Sequence, residues 1–304
     1  MSKPVIKSGR FHAGADLRCG ENVVIDVAEE MVVGDRVVLP DNAYFEGRRV
    51  TIADDFYGYS WEHPGFPRHD VIHGGVFTGL GPPVGRWLEV GRGRKDDEHA
   101  TLTVGSRSTF HDNRIDLAAP VVIGDDVGLS PEVCIYTHYY WQSVLDGFPC
   151  RTCQVWIGRG TLIGFRSVLL PGVEVPDYSV VGAGSVVSGK LTHEHAVYAG
   201  NPARLIRRVE KPTVMEQHGL LVGLCEEYLK SRRYRGLDTD KGRIPHWTLG
   251  ERFGWEFAGC RINPANATLE GEENEDTDDI RWFLFTRGIR IYTRRLFRKL
   301  GRKA

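Results

Sequence analysis

His138, in the run IYTHYYW of this 304-residue chain, carries the side-chain type best suited to moving a proton near neutral pH, because an ordinary imidazole titrates there. Fixed beside a gap, a neutral imidazole can take a proton from a hydroxyl or an amine and so act as a general base. Taken alone, the residue type does not separate a base from a surface histidine. A second group is cationic: Lys190, Arg204 and Arg207 lie in SGKLTHEHAVYAGNPARLIRRVEKP, where they could bind phosphate through charge-assisted hydrogen bonds or simply solvate the end of a domain. Metal or redox chemistry has thinner support. Cys150 and Cys153 form a single CxxC with no second pair among six cysteines, which reads as reduced thiols. His63, His69 and His73 lack acids or cysteines at ligand spacing, so no metal is expected.

What would hold His138 in place is a repeat. From Trp156 to Val187, branched aliphatic residues fall at Ile157, Ile163, Leu169, Val175, Val181 and Val187, a strict spacing of six. Neither the period of a strand nor that of a helix gives this spacing. It describes short flat strands joined by corners, with one aliphatic knob per strand pointing inward and stacking on the next coil, and glycines permitting the corners. The same period runs through Val104 and Phe110, then Leu117, Ile123, Leu129 and Ile135, and more raggedly through Phe11, Leu17, Val23 and Val27, Val33, Leu39, Phe45. His138 stands three residues beyond Ile135, where the repeat breaks for residues 137–154. A loop ejected from a rigid solenoid at one corner is where function tends to sit.

The chain is long enough for one large domain with an appendage, and 36 glycines suit an architecture of frequent corners. A formal net charge of -1 gives no general reason to expect nucleic acid. No apolar run of membrane-spanning length is present, and MSKPVIKSGRFHAG lacks the core of a signal peptide, so the expected location is the cytoplasm. Residues 54–100 interrupt the coils with a stretch dense in aromatic and imidazole groups, read either as a binding lip or as a flap over the solenoid. The expected domains are therefore 1–210, with an insertion at about 54–100 and the loop at 137–154, and a partly helical extension over 211–304.

In that extension the pattern predicts a helix from Thr213 to Arg235 and a last helix from about Asp279. In the latter, Trp282, Phe285, Ile289, Tyr292, Leu296 and Leu300 lie opposite Arg287, Arg290, Arg294 and Arg298. Residues 280–303 would then form a basic amphipathic helix. It could touch the inner face of a membrane or an anionic partner, or pack on the solenoid with its charges in water, balanced by the acidic run EGEENEDTDD.

The segments IGDDVGLSPEVCIYTHYYW, VWIGRGTLIGFRSVLLPGVEVPDYSVVGAGSVV and AGNPARLIRRV closely resemble the hexapeptide-repeat acyltransferases, nearest the galactoside, maltose and polysaccharide O-acetyltransferases. The resemblance covers about 90 residues. It implies a mainly β fold, a left-handed parallel β-helix, and direct transfer of an acyl group, most simply acetyl, from acyl-CoA. His138 matches the family's general base. Asn113 and Asp116, in FHDNRIDLAAP, match positions that help hold the acceptor, and His111 beside them is a further substrate-contact candidate. Trp156 matches the residue lining the pantetheine and acceptor cleft, Ala183 the backbone that meets the pantetheine arm, and Lys190, Arg204 and Arg207 the cations that neutralise CoA phosphates. The resemblance also implies a homotrimer with clefts between subunits. A carbohydrate or glycoconjugate hydroxyl is the expected acceptor, and the amine of an amino sugar or nucleotide amino sugar the alternative. Two other classes are disfavoured. A zinc-dependent gamma-type carbonic anhydrase needs paired histidines after the loop that the chain lacks, and a non-catalytic scaffold would have no reason to keep His138 and GNPAR.

Overall fold

A repeat of six with one inward aliphatic residue can close only if each short strand pairs in register with the strand one coil above. A computed structural model of the chain describes residues 3–39, 41–54, 57–58, 70–71, 88–91, 94, 97–110, 113–240, 242–243, 254–293, 297–298 and 300. Its contacts divide the chain into two units: Met1–His63 with Gly74–Glu210, and Pro64–His73 with Lys211–Ala304. Pro64–His73, read from sequence as part of the insertion in the first domain, groups with the second unit.

The first unit is a parallel β-helix of three walls. Wall one stacks Thr101–Val104, Val121–Ile123, Val155–Ile157 and Glu174–Val175. Wall two stacks Tyr57–Gly58, Thr109–Phe110, Gly128–Leu129, Leu162–Ile163 and Val180–Val181. Wall three stacks Glu89–Val90, Arg114–Ile115, Cys134–Ile135, Val168–Leu169 and Val186–Val187. Ile157, Ile163, Leu169, Val175, Val181 and Val187 are all completely buried in one core. Such burial is worth about 1.5–3 kcal/mol for each aliphatic side chain, and it holds the stack together without long strands. The early coils follow the same path with longer strands. Val5–Ala13, Val24–Val33 and Tyr44–Ile52 pair in parallel. Tyr44–Ile52 serves two walls, pairing with Glu89–Val90 through Tyr44 and Phe45 and with Thr101–Val104 through Arg49–Ile52.

Glycine supplies some of the left-handed corners, as at Gly160, Gly172 and Gly184 with φ of 65°, 81° and 67°, but not all of them. Many left-handed corner positions carry ordinary side chains, among them Asp126, Arg166 and Tyr178 with φ of 56°, 56° and 54°. Other glycines answer a second demand, close approach between coils. A Cβ on Gly158 would come within 2.4 Å of Asp177 Oδ1 and 2.6 Å of Asp177 N, and Gly105 meets Asp125 in the same way. The aspartate of the upper coil accepts from the amide after the glycine, Arg159 N–H at 3.0 Å and Ser106 N–H at 2.7 Å. Buried hydroxyls satisfy the remaining corner carbonyls: Ser108 Oγ donates to Gly124 O at 2.8 Å and Ser167 Oγ to Gly182 O at 3.0 Å.

In the second unit, helix α1 runs Val214–Tyr234 with Thr213 as N-cap in a reciprocal capping box with Glu216. It buries Leu221, Tyr228 and Leu229. Helix α2 runs Glu275–Phe285 from an Asn274 cap. An antiparallel sheet includes Trp255–Phe257, Cys260–Asn263 and Thr268–Glu270. Asp279 of α2, fully buried, accepts two hydrogen bonds from Arg235, at 2.6 and 2.9 Å, and one from Tyr228 Oη at 2.9 Å. Burial and the neighbouring Asp279 carboxylate push the Tyr228 phenol far above its ordinary range.

The long amphipathic helix expected over 280–303 does not form. Gly288, at φ 78°, stops it: Gly288 N–H bonds Phe285 O and Ile289 N–H bonds Leu284 O, the paired closure of a Schellman end. Beyond the stop, Ile291 is buried and Phe297–Arg298 pairs antiparallel with Asp70–Val71. Arg287 and Arg290 therefore lie on either side of that stop and share no helical stripe, and Arg294 lies outside the described residues. Among the described residues no helix is long and apolar enough to cross a membrane.

Candidate active site

The corner between walls three and one gathers the chemistry. Gly91 N–H bonds Ile115 O, and Asp116 N–H bonds Ile135 O. Residues just past wall three on successive coils are thereby stacked at one corner. Arg94 belongs to the lowest of these coils, Asp116 to the next, and Thr137 and His138 to the third. The chain then leaves as a loop and returns antiparallel to itself, with His138 opposite Thr152 and Tyr139 opposite Arg151.

His138 Nδ1 lies 2.7 Å from Asp116 Oδ2. The same carboxylate oxygen accepts from Thr137 Oγ1 at 2.5 Å and Thr137 N–H at 3.0 Å. Burial alone would raise the Asp116 carboxyl; the hydrogen bonds from Thr137 and His138 outweigh it and hold the group below the ordinary carboxylate range. An ionised Asp116 only accepts, so Nδ1 carries the proton and Nε2 is the nitrogen left to receive one. Among the described residues Nε2 has no hydrogen-bond partner. Tyr140 stacks on the imidazole, with centroids 4.4 Å apart and planes at 22°. Arg94 donates to Tyr140 Oη at 2.8 Å, and its Nε stands 3.7 Å from Asp116 Oδ1. From the outer side Asp97 approaches Arg94 Nη1 at 3.6 Å.

The other residues singled out from sequence divide by place. Asp116, given to the acceptor by the resemblance, is hydrogen-bonded to the imidazole. Asn113 is completely buried and donates to Ser130 O at 2.9 Å, so its amide joins two coils. His111 lies outside the described residues, as does most of the aromatic stretch of the insertion. Trp156 is half-buried on wall one, between Val122 and Glu174 of the neighbouring coils. Lys190 pairs with that Glu174, and Leu191 N–H bonds Glu174 O, so Trp156 and Lys190 belong to the His138 side of the coil. Ala183 sits exposed at the corner between walls two and three. Arg204 and Arg207 are exposed on Arg204–Arg208, which pairs with Ala196–Ala199 at the end of wall two. The structure thus joins His138 and Asp116, keeps Trp156 and Lys190 on their side, and sets Ala183, Arg204 and Arg207 apart. Sequence reading did not pick out Thr137, Tyr140 or Arg94 individually. The first two lay inside the quoted THYYW run; nothing in GRGRKDDEH singles out Arg94.

No protein-family model matches the chain. It is 36% identical over 117 residues to a putative acetyltransferase of Saccharomyces cerevisiae, covering 37% of this chain and 59% of that one. It is 34% identical over 91 residues to the galactoside O-acetyltransferase of Escherichia coli, covering 29% of this chain and 44% of the relative. The chain therefore spans about half the length of the curated relatives it matches. Among solved structures, a maltose O-acetyltransferase from Clostridium difficile is 28% identical with a TM-score of 0.34, over 41% of this chain and 68% of that one. The sequence likeness to acetyltransferases is met by the two curated relatives, over 117 and 91 residues.

Proposed function

We propose that the protein is an acyl-CoA-dependent acyltransferase that moves an acetyl group directly to a hydroxyl of a carbohydrate or glycoconjugate. The observation that carries this reading is the His138–Asp116 pair at 2.7 Å, with Nε2 of the same ring left to accept. His138 Nε2 takes the proton of the acceptor hydroxyl as its oxygen attacks the thioester carbonyl carbon; the C–S bond then breaks and the thiol leaves with a proton. Asp116 keeps the imidazole in the base-competent tautomer and steadies the imidazolium as it forms. Such a base contributes about 10²- to 10⁴-fold. The oxygen acceptor is supported by the E. coli relative, itself a galactoside O-acetyltransferase. Arg204 and Arg207 are exposed cations suited to the phosphates of CoA, whereas Lys190 would have to exchange Glu174 for a phosphate. Because those arginines and the His138 side are apart within one chain, a cleft closed between copies of a homotrimer accounts for both sets of residues.

The test is thiol release from acetyl-CoA across a panel of sugars, nucleotide sugars and amino sugars, with the molecular mass in solution measured in parallel. Acceptor-dependent release by an oligomer, abolished in His138→Ala, is the expected result. Release only with amino sugars would move the reaction to nitrogen, and full turnover by His138→Ala would remove the proposed base.

A further inference from the structure

We infer that Arg94, from the stretch 54–100 that interrupts the sequence repeat, is a positioning residue for the base. The inference rests on reading His138 as that base. Three contacts carry it. Arg94 Nη2 donates to Tyr140 Oη at 2.8 Å, while the Tyr140 ring lies flat on the imidazole with centroids 4.4 Å apart. Arg94 Nε faces Asp116 Oδ1, the oxygen that Thr137 and His138 do not use. Asp97 holds the guanidinium from behind at 3.6 Å. Tyr140 is half exposed and belongs to a loop whose apolar side chains are exposed throughout, Trp141 and Leu145 at 94% and Val144 and Phe148 at 59% and 51%. The coil offers that loop few apolar contacts, so the Arg94 hydrogen bond is what fixes the phenol ring over His138.

The arrangement also selects between two partners for one nitrogen. Arg94 Nη2 lies 3.4 Å from His138 Nδ1, against 2.7 Å for Asp116 Oδ2. An imidazole that accepted from Arg94 at Nδ1 would carry its proton on Nε2 and could not serve as a base there. Asp116 prevents this by holding Nδ1 at the shorter distance, while Tyr140 takes one of the two Nη2 protons at 2.8 Å. Arg94 does not touch the acceptor in this scheme. It acts through Tyr140 and Asp116, which makes the geometry of the base depend on a residue two coils below as well as on its own coil.

The experiment combines kinetics with a signature of the ring stack. In protein labelled at histidine, the His138 ring resonances, identified by their loss in His138→Ala, are expected upfield in the native protein because Tyr140 lies over the ring. Arg94→Ala and Tyr140→Leu should each remove that displacement, and Arg94→Lys, which keeps a donor and a charge, should restore part of it. With the acceptor found in the panel assay, Arg94→Ala should lower kcat by about 10- to 100-fold, with KM for acetyl-CoA within about twofold of native. The double variant Arg94→Ala/Tyr140→Leu should lose no more than the worse single one, since both act on one contact. An unchanged His138 signal in Arg94→Ala, or losses in kcat that multiply in the double variant, would overturn the inference. If no acyl transfer is found, the ring signal alone decides it, so failure of the enzymatic reading and failure of the Arg94 role give different results. Should Arg94→Ala not fold, Asp97→Asn, which frees the guanidinium from behind, is read in the same way.

Discussion

His138 and Asp116 are 22 residues apart in sequence and 2.7 Å apart at Nδ1 and Oδ2, because they occupy the same corner on successive coils. The distance between them is set by strand register, with Arg114–Ile115 locked to Cys134–Ile135, and not by the loop that follows. The geometry of the pair is in this way tied to the hydrogen-bonded coil itself.

Removing either member should separate their roles. His138→Ala is expected to lower the transfer rate by about 10²- to 10⁴-fold. Asp116→Asn keeps the shape but no longer demands a proton on Nδ1, and a loss of about 10²-fold is expected. Initial rates of thiol release check both; a wild-type rate in Asp116→Asn would mean that the carboxylate does not orient the ring.

Acid should act through Asp116. Its carboxyl is held below the ordinary range in the folded protein, so its stabilising contribution is present above the carboxyl pKa of the unfolded chain and is lost as pH falls through the lower folded value. Thr137→Val removes one donor and raises the folded value toward normal. The variant should lose stability at a higher pH than the native protein does, with the carboxyl carbon resonance of Asp116 titrating in the same direction. An unmoved titration would show that Thr137 does not hold the charge.

Gly158→Ala tests the coil spacing. The added Cβ would meet both the backbone N and the carboxylate of Asp177, so one coil must lift from the next, at a cost of about 1–3 kcal/mol. Chemical denaturation followed by circular dichroism should report it. Gly189→Ala, which meets nothing within 4 Å, is the control and should stay near native stability.

In the second unit two ion pairs should differ sharply in worth. Arg235→Ala removes two charge-assisted hydrogen bonds from the fully buried Asp279 carboxylate, leaving Tyr228, the Leu300 amide and a more distant Arg232, a loss of about 3–5 kcal/mol. Arg287→Ala breaks a pair with Glu227, whose side chain is 55% exposed, and should cost about 1 kcal/mol or less. Thermal unfolding of the two variants gives the contrast directly; equal losses would mean that Arg232, 3.5 Å from Asp279, takes over the missing charge.

The period of six made the coils legible in advance because one inward residue per strand is a constraint that every coil repeats. His138 was legible because it stands where that constraint lapses. Thr213 as the start of a helix was legible because capping is local chemistry. Arg94 was not, because its partners Asp116 and Tyr140 lie on other coils and no periodicity connects them. The contacts of Asp116 with His138 and of Asn113 with Ser130 were not legible for the same reason: which corner groups face each other depends on where each coil turns. The last helix was overextended because apolar spacing continued past Gly288, and the spacing alone carries no stop.

A corner that stacks Arg94, Asp116 and His138 one strand spacing apart, about 4.8 Å per coil, separates two properties that most enzymes must adjust together. Height along the stack is quantised by hydrogen-bonded register, so the groups keep their vertical order however long the connecting excursion is. Reach is continuous, because a corner can emit a short turn at 116–120 or the long loop at 137–154 and still re-enter at the next rung. A protein built this way can exchange what it recognises by changing the length of an excursion while the His138–Asp116 pair stays on its rungs.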